Sequence, residues 1–188
     1  MQFAKDSFFL ALQQRLAGVN PARTITVNGT TVPAVLVGEN LPPAAAEPQP
    51  NAFYIEWGAA SVVNAHAGDA PLMGVDCVIS YYTLGTVESM VDRGRVLGEL
   101  DNELLSICQP TNTEKYDYTQ SPSADLGTSV FWNQPAFEGP TTSGVEDNVV
   151  SYQGRAVRRP MYAKAYQDGR VERRAMLTVF FFAEVTLL

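Results

Sequence analysis

The stretch Ala175-Met-Leu-Thr-Val-Phe-Phe-Phe-Ala183 decides the fold of this chain, because it alternates with the period of a β-strand and is apolar on both sides. One side consists of Leu177, Val179, Phe181, Ala183 and Val185, and the other of Met176, Phe180 and Phe182. A strand that is apolar on both faces needs cover on both faces. We therefore expect two helices to pack on one face and the long loop described below, or a neighbouring subunit, to cover the other.

Three upstream segments supply further strands for the same sheet. Thr24–Val27 and Thr30–Val32 flank Asn28-Gly29, and this dipeptide between β-branched runs predicts a hairpin with a type I′ turn. Phe53–Trp57 alternates with period two, so that Phe53, Ile55 and Trp57 share a face. In the longer strand Leu72–Thr83, one face carries Val75, Cys77, Ile79 and Tyr81, and the other carries Asp76, Ser80 and Tyr82.

Two helices are predicted from apolar stripes with helical spacing. Asp6 is the expected N-cap of the first helix, whose stripe contains Phe8, Leu12 and Leu16 and which ends at Gly18. The second helix is expected from Thr86 to Cys108. Its apolar stripe is Val87, Met90, Val91, Leu97, Leu100, Leu104, Ile107 and Cys108, and its polar face is Glu88, Asp92, Arg95, Glu99 and Glu103.

Together these elements predict a single α+β domain over residues 1–188, with a mainly antiparallel β-sheet packed against two helices and a long loop and hairpin excursion. Residues 41–50 are a Pro-rich connector, and residues 111–154 are predicted to form a long irregular loop in which short strands occur near Tyr116–Tyr118 and Val130–Trp132. Residues 155–175 are predicted to form a basic hairpin that turns at Asp168-Gly169.

Charge is divided unevenly along the chain. The net charge is -7, but residues 1–154 hold six basic and 17 acidic side chains, whereas residues 155–188 hold seven basic and three. The acidic total argues against non-specific DNA affinity as the main task, so that DNA is expected at most as a transient contact. The basic C-terminal part instead suggests contact with an acidic protein surface, which a second copy of the chain could supply.

The remaining composition indicates a soluble protein in a reducing compartment. Cys77 and Cys108 lie in apolar surroundings and are expected to be buried free thiols rather than a disulfide. Met1–Ser7 lacks the pattern of a signal peptide because Asp6 interrupts it. No stretch approaches the roughly 20 apolar residues of a membrane span, so no membrane partner is expected.

Sequence motifs for catalysis are weak, and we expect no enzyme activity, metal or cofactor. His66 is the only histidine, and Gly58-Ala-Ala-Ser61-Val lacks the second glycine of a nucleophile elbow. One histidine and two distant cysteines cannot form a credible zinc site. Glu56 and Asp76 could in principle pair for glycoside chemistry, but their strand positions predict solvent-facing side chains.

The expected working surface is therefore a protein contact. We predict that it involves basic residues of the hairpin and the second apolar side of the last strand. The residues are Arg155, Arg158, Arg159, Lys164, Arg170, Arg173, Arg174, Met176, Phe180 and Phe182.

The order of the predicted elements resembles that of the tail terminator proteins of long-tailed bacteriophages: a helix, the Asn-Gly hairpin, two alternating strands, a long amphipathic helix, a polar stretch and a final long strand. Three segments carry this resemblance. They are Pro71-Leu-Met-Gly-Val-Asp-Cys-Val-Ile-Ser-Tyr-Tyr-Thr83 before the second helix, Tyr116-Asp-Tyr-Thr119, and the closing strand Leu177-Thr-Val-Phe-Phe-Phe-Ala-Glu-Val185. The resemblance implies a virion protein, assembled in the host cytoplasm, that forms a hexameric ring on the head-proximal end of the tail tube. Such a ring stops tube polymerisation, and its implied partners are itself, the tail tube protein and a head-completion or neck protein.

Two other readings stay open at this stage. The segment 111–154 and the basic hairpin are longer than a minimal terminator would carry, which suits another head-tail connector, neck or minor tail protein. A monomeric protein-binding module that uses residues 111–154 is the second alternative.

Overall fold

The computed structural model describes residues 1–41, 48–65, 69–85, 92–138, 149–152, 155–158, 164–165 and 169–184, with backbone alone at 149–152, 155–158 and 164–165. The helices are α1 (Gln2–Val19) and α2 (Asp92–Ile107), and Gly38–Asn40 is a 3₁₀ turn. The strands are β1 (Thr24–Val27), β2 (Thr30–Pro33), β3 (Val35–Val37), β4 (Phe53–Asn64), β5 (Leu72–Thr83), β6 (Asn112–Asp117), β7 (Ala124–Trp132), β8 (Ala136–Phe137), β9 (Val149–Tyr152), β10 (Arg155–Arg158), β11 (Lys164–Ala165) and β12 (Val171–Phe182).

Most strands form one sheet with the order β3-β4-β5-β12-β7-β6, in which β8 and β11 also pair with β12. Only the short β3 runs parallel to its neighbour, and the other pairs are antiparallel. The hairpins β1–β2 and β9–β10 are separate two-stranded sheets. The predicted α+β class, mainly antiparallel, is confirmed.

The centre of the sheet is the pairing of β12 with β5. It runs without interruption from Val171 opposite Thr83 to Phe182 opposite Leu72. The predicted alternation of β12 is confirmed, since Ala175, Leu177, Val179 and Phe181 are all buried on the helix-covered face, which we call the inner face. The opposite side of the sheet is called the outer face.

Helix α1 covers the inner face through its apolar stripe. Phe8 is fully buried and meets two tryptophan rings edge to face, Trp57 at 5.8 Å and Trp132 at 5.0 Å between ring centroids. Leu12 and Leu16 continue the stripe and are also fully buried. Edge-to-face aromatic pairs add to the free energy of burial, so Phe8 is the main anchor of this helix.

Helix α2 packs beside α1 and joins it at the C-terminal end. Leu97, Leu100, Leu104 and Ile107 form the buried stripe, as predicted. The Arg15 guanidinium of α1 donates hydrogen bonds to the carbonyl oxygens of Ile107 (2.9 Å) and Gln109 (3.2 Å), and thereby satisfies acceptors at the end of α2. The predicted start at Thr86 lies outside the described residues. None of the helices that the structure describes is long and apolar enough to cross a membrane.

The short-range predictions have mixed outcomes. The Asn28-Gly29 turn is confirmed, because both residues have positive φ, 50° and 79°, as a type I′ turn requires. Strand β5 has the predicted bounds. The prediction of Asp6 as N-cap is wrong: α1 already begins at Gln2, and the Asp6 carboxylate accepts a hydrogen bond from the Gln2 side chain at 2.8 Å.

The prediction of a long irregular loop over residues 111–154 is wrong for the part that the structure describes. Residues 111–138 contain β6, β7 and β8, which extend the sheet instead of covering its outer face. The basic hairpin is shorter than predicted: β11 pairs with the start of β12, but Arg155–Arg158 pairs with β9. The predicted turn residue Asp168 lies outside the described residues. Polar side chains mask the strand pattern here, because several of these strands are exposed on one or both sides.

The two edges of the large sheet differ. At β6, helix α1 lies close enough for the Tyr116 amide to donate a hydrogen bond to Ser7 Oγ at 3.0 Å. At the other edge, β3 pairs with Phe53–Ile55 only. Among the described residues, no strand pairs with the outer side of β4 from Gly58 to Asn64.

The two faces of the sheet predict different costs for removing a phenylalanine. Phe8→Ala should lower the free energy of unfolding by about 3–5 kcal/mol, because it opens a cavity in a fully buried site. Urea denaturation followed by tryptophan fluorescence measures this change. Phe182→Ala is the matched control, and since Phe182 is 44% exposed it should cost about 1 kcal/mol or less. Equal costs would contradict the assignment of the two faces.

Candidate interaction surface

The residues considered for catalysis do not assemble into a site where they are described. Ser61 lies on the exposed half of β4, and Glu56 and Asp76 are exposed on the outer face, as their strand positions predicted. His66 lies outside the described residues. Over the described part of the chain, no group of three or more His, Cys, Asp or Glu side chains could hold a metal ion.

Both cysteines are buried free thiols, which confirms the prediction. Burial raises the pKa of Cys77 well above its usual range, and it raises the pKa of the Cys108 thiol to about 12. A thiol reacts through its thiolate, so both side chains are inert at neutral pH. The cysteines therefore contribute packing and leave the surface free of reactive sulfur.

The predicted basic surface is largely compensated within the chain where the structure describes it. Arg174 is about half exposed and donates to Glu172 at 2.8 Å. This hydrogen bond raises the pKa of Arg174, and the nearby carboxylates of Glu138 and Glu56 raise it further. Arg170 is half-buried, with its guanidinium 5.5 Å from the centre of the Tyr82 ring. Arg155, Arg158 and Lys164 lie on strands β10 and β11, and Arg159 lies outside the described residues.

Arg173 has a role that corrects the prediction of a surface contact. Its guanidinium forms an ion pair with Asp101 of α2, and Tyr81 donates a hydrogen bond to the same carboxylate at 2.5 Å. All three side chains lie between the inner face and α2, where Asp101 is 5% exposed. Desolvation raises the pKa of Asp101, although both hydrogen bonds oppose this effect. The cluster joins α2 to the two central strands.

A signal for this buried cluster was present in the sequence. Asp101 follows Leu100 and precedes Leu104 by three residues, so it falls inside the apolar stripe of α2. Glu103, predicted on the polar face, is likewise 9% exposed and pairs with Arg23 at 2.8 Å. A carboxylate inside an apolar stripe predicts a buried cation, because an unpaired buried charge is costly.

One end of the outer face is covered by the chain itself. Tyr54 and Tyr82 are buried there. The Tyr82 hydroxyl donates to the Pro48 carbonyl oxygen at 2.5 Å, and the Gln49 amide donates to the Tyr54 hydroxyl at 2.6 Å. Residues 48–51 thus close this end, together with the guanidinium of Arg170.

The other end of the outer face is open and apolar. Phe182 is 44% exposed and lies opposite Leu72, and Val63 is 52% exposed. Gly74 lies between them, where an added Cβ would come within 3.0 Å of a Val63 methyl carbon and 3.4 Å of the Phe180 ring. The absence of a side chain at Gly74 lets Val63 and Phe180 close over β5. We call Val63, Leu72, Phe180 and Phe182 the open patch.

Contacts with the neighbouring strands β7 and β6 hold the open patch in place. Phe131 stacks on Phe180 with ring centroids 5.4 Å apart. Lys115, which is 2% exposed, donates a hydrogen bond to the Phe182 carbonyl oxygen at 2.7 Å and forms an ion pair with Glu184 at 3.1 Å. Apolar groups fixed in this way bind at a low cost in conformational entropy, which is typical of contact residues in protein interfaces.

A pocket of about 390 Å³ lies at the edge of the open patch. Its lining combines the apolar side chains of Leu72, Phe182 and Ala70 with the polar side chains of Asn64 and Asp69. Such a pocket can accept one side chain that is apolar along its length and positively charged at its tip, and arginine has this form.

The predicted contact residues on β12 differ in how far they are exposed. Phe182 contributes exposed surface, Phe180 and Met176 are half-buried on the same face, and Arg173 is withdrawn into the core. Sequence reasoning missed Val63, Leu72 and Asp69, because β4 extends seven residues beyond the predicted end at Trp57. The run Val62-Val63 was the available signal for the longer strand.

Comparison with models of protein families finds no match for this chain, and no curated protein matches it.

The buried cluster predicts an asymmetric response to mutation. Asp101→Ala should lower the free energy of unfolding by about 3–5 kcal/mol, because it leaves Arg173 buried without its partner. The triple variant Asp101→Leu/Arg173→Met/Tyr81→Phe should recover most of that loss, because it also removes the buried Tyr81 hydroxyl that bonds to Asp101. Arg174→Ala, which breaks the more exposed pair with Glu172, is the control and should change stability by about 1 kcal/mol or less. A loss in Arg174→Ala as large as in Asp101→Ala would refute this account.

The raised thiol pKa values predict slow chemical labelling. In the folded protein at pH 8, an aromatic disulfide reagent should modify neither Cys77 nor Cys108 on the timescale that modifies an exposed cysteine. Ser61→Cys supplies that reference, since Ser61 is exposed. Addition of denaturant should make both native thiols reactive. Rapid labelling in the folded state would show that they are accessible.

Proposed function

We propose that this chain is a structural virion subunit resembling a phage tail terminator. It assembles into a hexameric ring at the head-proximal end of the tail tube, ends tube polymerisation and joins the tail to the head or neck. Its partners are further copies of itself, the tail tube protein and a head-completion or neck protein. Assembly takes place in the host cytoplasm.

The open patch is the observation that carries this proposal. Phe182 and Val63 are both close to half exposed and lie at one end of the outer face, whereas residues 48–51 cover the other end. A contiguous exposed apolar surface that is held rigid typically marks a contact with another protein. The open patch is thus the part of the second side of β12 that would receive the external cover expected from the sequence.

The core between the inner face and the two helices is formed within one chain. This supports a subunit that folds before it assembles. Both helices and the aromatic cluster around Phe8 stabilise the chain from within, and the buried pair of Asp101 with Arg173 is also formed within one chain. Because the core does not need the outer face, the open patch is available for contacts between subunits. The order of elements, from α1 through β5 and α2 to β12, agrees with the resemblance to tail terminators.

The mechanism under this proposal is steric and electrostatic. A contact between two different surfaces of the same chain repeats from copy to copy and closes into a ring when the rotation per copy allows it. A closed ring seated on the tube occupies the surface that the next tube subunit would use. The acidic first part and basic last part of the chain favour head-to-tail contacts between copies.

A monomeric binding module is the second candidate. The specific observation in its favour is the pocket beside Phe182, since a single side chain of another protein could fill it without any ring. The two proposals differ in whether the chain associates with itself, and this difference can be measured directly.

Native mass spectrometry over a concentration series should show a closed species of about six copies. Phe182→Lys should shift assembly to higher concentration by about tenfold or more, because a desolvated charge replaces an apolar contact. Val19→Lys is the matched control, since Val19 is 50% exposed at the end of α1, away from the open patch. Assembly that is unaffected by Phe182→Lys would refute the role of the open patch.

The activity itself can be tested with polymerising tail tube protein from the same phage. Addition of the assembled chain should stop tube growth, and electron microscopy should show a ring on one end of each tube. Phe182→Lys at a concentration where it remains monomeric should leave tube length unchanged. A strictly monomeric wild-type chain that binds a partner would favour the binding module.

A further inference from the structure

The free edge of β4 is unusual because it is uncharged. Residues 58–64 read Gly-Ala-Ala-Ser-Val-Val-Asn, and this run contains neither a charged side chain nor a proline. A strand edge presents backbone N–H and C=O groups that can pair with another strand, and proteins usually block such edges with charges, prolines or bulges. Register shifts on both sides, between Trp57 and Ala60 and between Val62 and Asn64, restrict the regular part of this edge to Ala60–Val62, which pairs with Met73–Val75 of β5. Ala60–Val62 is therefore a short accepting edge.

A matching element is the separate hairpin β9–β10. Its strands of four residues each pair with each other and, among the described residues, with no other strand. An isolated two-stranded hairpin is marginally stable in water, and a third strand or a packed surface stabilises it. The short length of β10 suits the short accepting edge of β4.

Charge favours β10 as the strand that meets this edge. Arg155 and Arg158 stand at the two ends of β10. An acidic residue lies near each end of the accepting edge. At one end Asp76 is next to Gly58, since a Cβ added at Gly58 would lie 3.1 Å from the Asp76 Cβ. At the other end Asp69 lines the pocket together with Asn64. The outer face near this edge also carries the exposed Glu56. A strand with basic ends is therefore attracted to an uncharged edge with acidic surroundings.

We infer that strand β10 of a second copy adds to the β4 edge at Ala60–Val62 and extends the sheet across the subunit boundary. The inference rests on the proposed self-assembly and names the contact that drives it. Main-chain hydrogen bonds supply the pairing, as in other cases of strand addition. The basic positions Arg155 and Arg158 at the ends of the incoming β10 bring positive charge to an edge that has acidic surroundings.

This contact joins two different surfaces, the hairpin of one copy and the β4 edge of the next. It is therefore heterologous and repeats around a ring. It also places the open patch at the subunit boundary, because Val63 directly follows the accepting segment and Phe182 lines the pocket.

Disulfide trapping between separately purified variants tests the inference. Ala60→Cys, Ser61→Cys and Val62→Cys each place a thiol on the accepting edge, and Ala156→Cys places one on β10. Mixing each edge variant with Ala156→Cys under mild oxidation should give at least about tenfold more mixed dimer than the control at one or more positions, because pairing raises the effective concentration of the thiols. Ser123→Cys mixed with Ala156→Cys is the control, since Ser123 is exposed in the β6–β7 turn.

Charge exchange provides an independent readout in the same assembly assay. Arg155→Glu/Arg158→Glu should weaken assembly, and adding Asp69→Lys/Asp76→Lys to that variant should restore part of it. Arg95→Glu is the control, because Arg95 is exposed on α2. Equal weakening by Arg95→Glu, or no recovery in the combined variant, would contradict the pairing of β10 with this edge.

The outcomes separate this inference from the proposed function. Assembly without a mixed disulfide at any of the three edge positions overturns the β4–β10 contact and leaves the ring intact as a proposal. A disulfide that forms within single chains of Ser61→Cys/Ala156→Cys, and not between mixed variants, places the hairpin on its own sheet and overturns the second copy as occupant. A strictly monomeric chain overturns both.

Discussion

The antiparallel pairing of β12 with β5 is the constraint on which the rest of the structure depends. It is unbroken over the full length of both strands, from Val171 opposite Thr83 to Phe182 opposite Leu72. Because side chains alternate along a strand, this one register places Leu177, Val179 and Phe181 under the helices and Phe180 and Phe182 on the opposite face. A slip of one residue would exchange the two faces. The inner core and the open patch therefore arise together from one pairing.

Two buried cations hold β12 at its two ends. Arg173, near the start, pairs with Asp101 of α2, and Lys115 of β6 bonds the carbonyl oxygen of Phe182 at the finish. Buried ion pairs add little net stability because desolvation of the charges offsets their attraction. The position of the Arg173–Asp101 pair suggests a different contribution: a slip of one residue in β12 would turn Arg173 to the outer face and break this pair. Specificity for one register fits a strand that is apolar on both sides, since hydrophobic burial alone distinguishes its two faces weakly.

The sequence predicted the elements whose signal is local. The turn at Asn28-Gly29 needs positive φ, the stripe of α2 has a clear helical period, and β5 alternates from end to end, so each was predicted correctly. Residues 111–154 were predicted to be a long irregular loop with short strands near Tyr116–Tyr118 and Val130–Trp132. Strands β6 and β7 do lie at these places, but they are longer than predicted, because they expose many polar side chains and do not alternate regularly between apolar and polar residues. The contact of Arg173 with Asp101 spans 72 positions and depends on the tertiary fold, so local patterns could not show it. The same holds for the pocket, whose lining joins the β4–β5 turn to the end of β12.

The position of the open patch implies an order of events. Phe182 becomes part of a surface only after β12 has paired with Leu72 of β5 and Lys115 has bonded its carbonyl oxygen. Phe180 and Phe182 lie more than 100 positions after Val63 and Leu72 in the sequence, so the unfolded chain does not form the open patch. Under the proposed function, association through this patch therefore follows folding of the inner core. A subunit with this property avoids indiscriminate association of unfolded chains through the patch and presents its contact surface only when the sheet is complete.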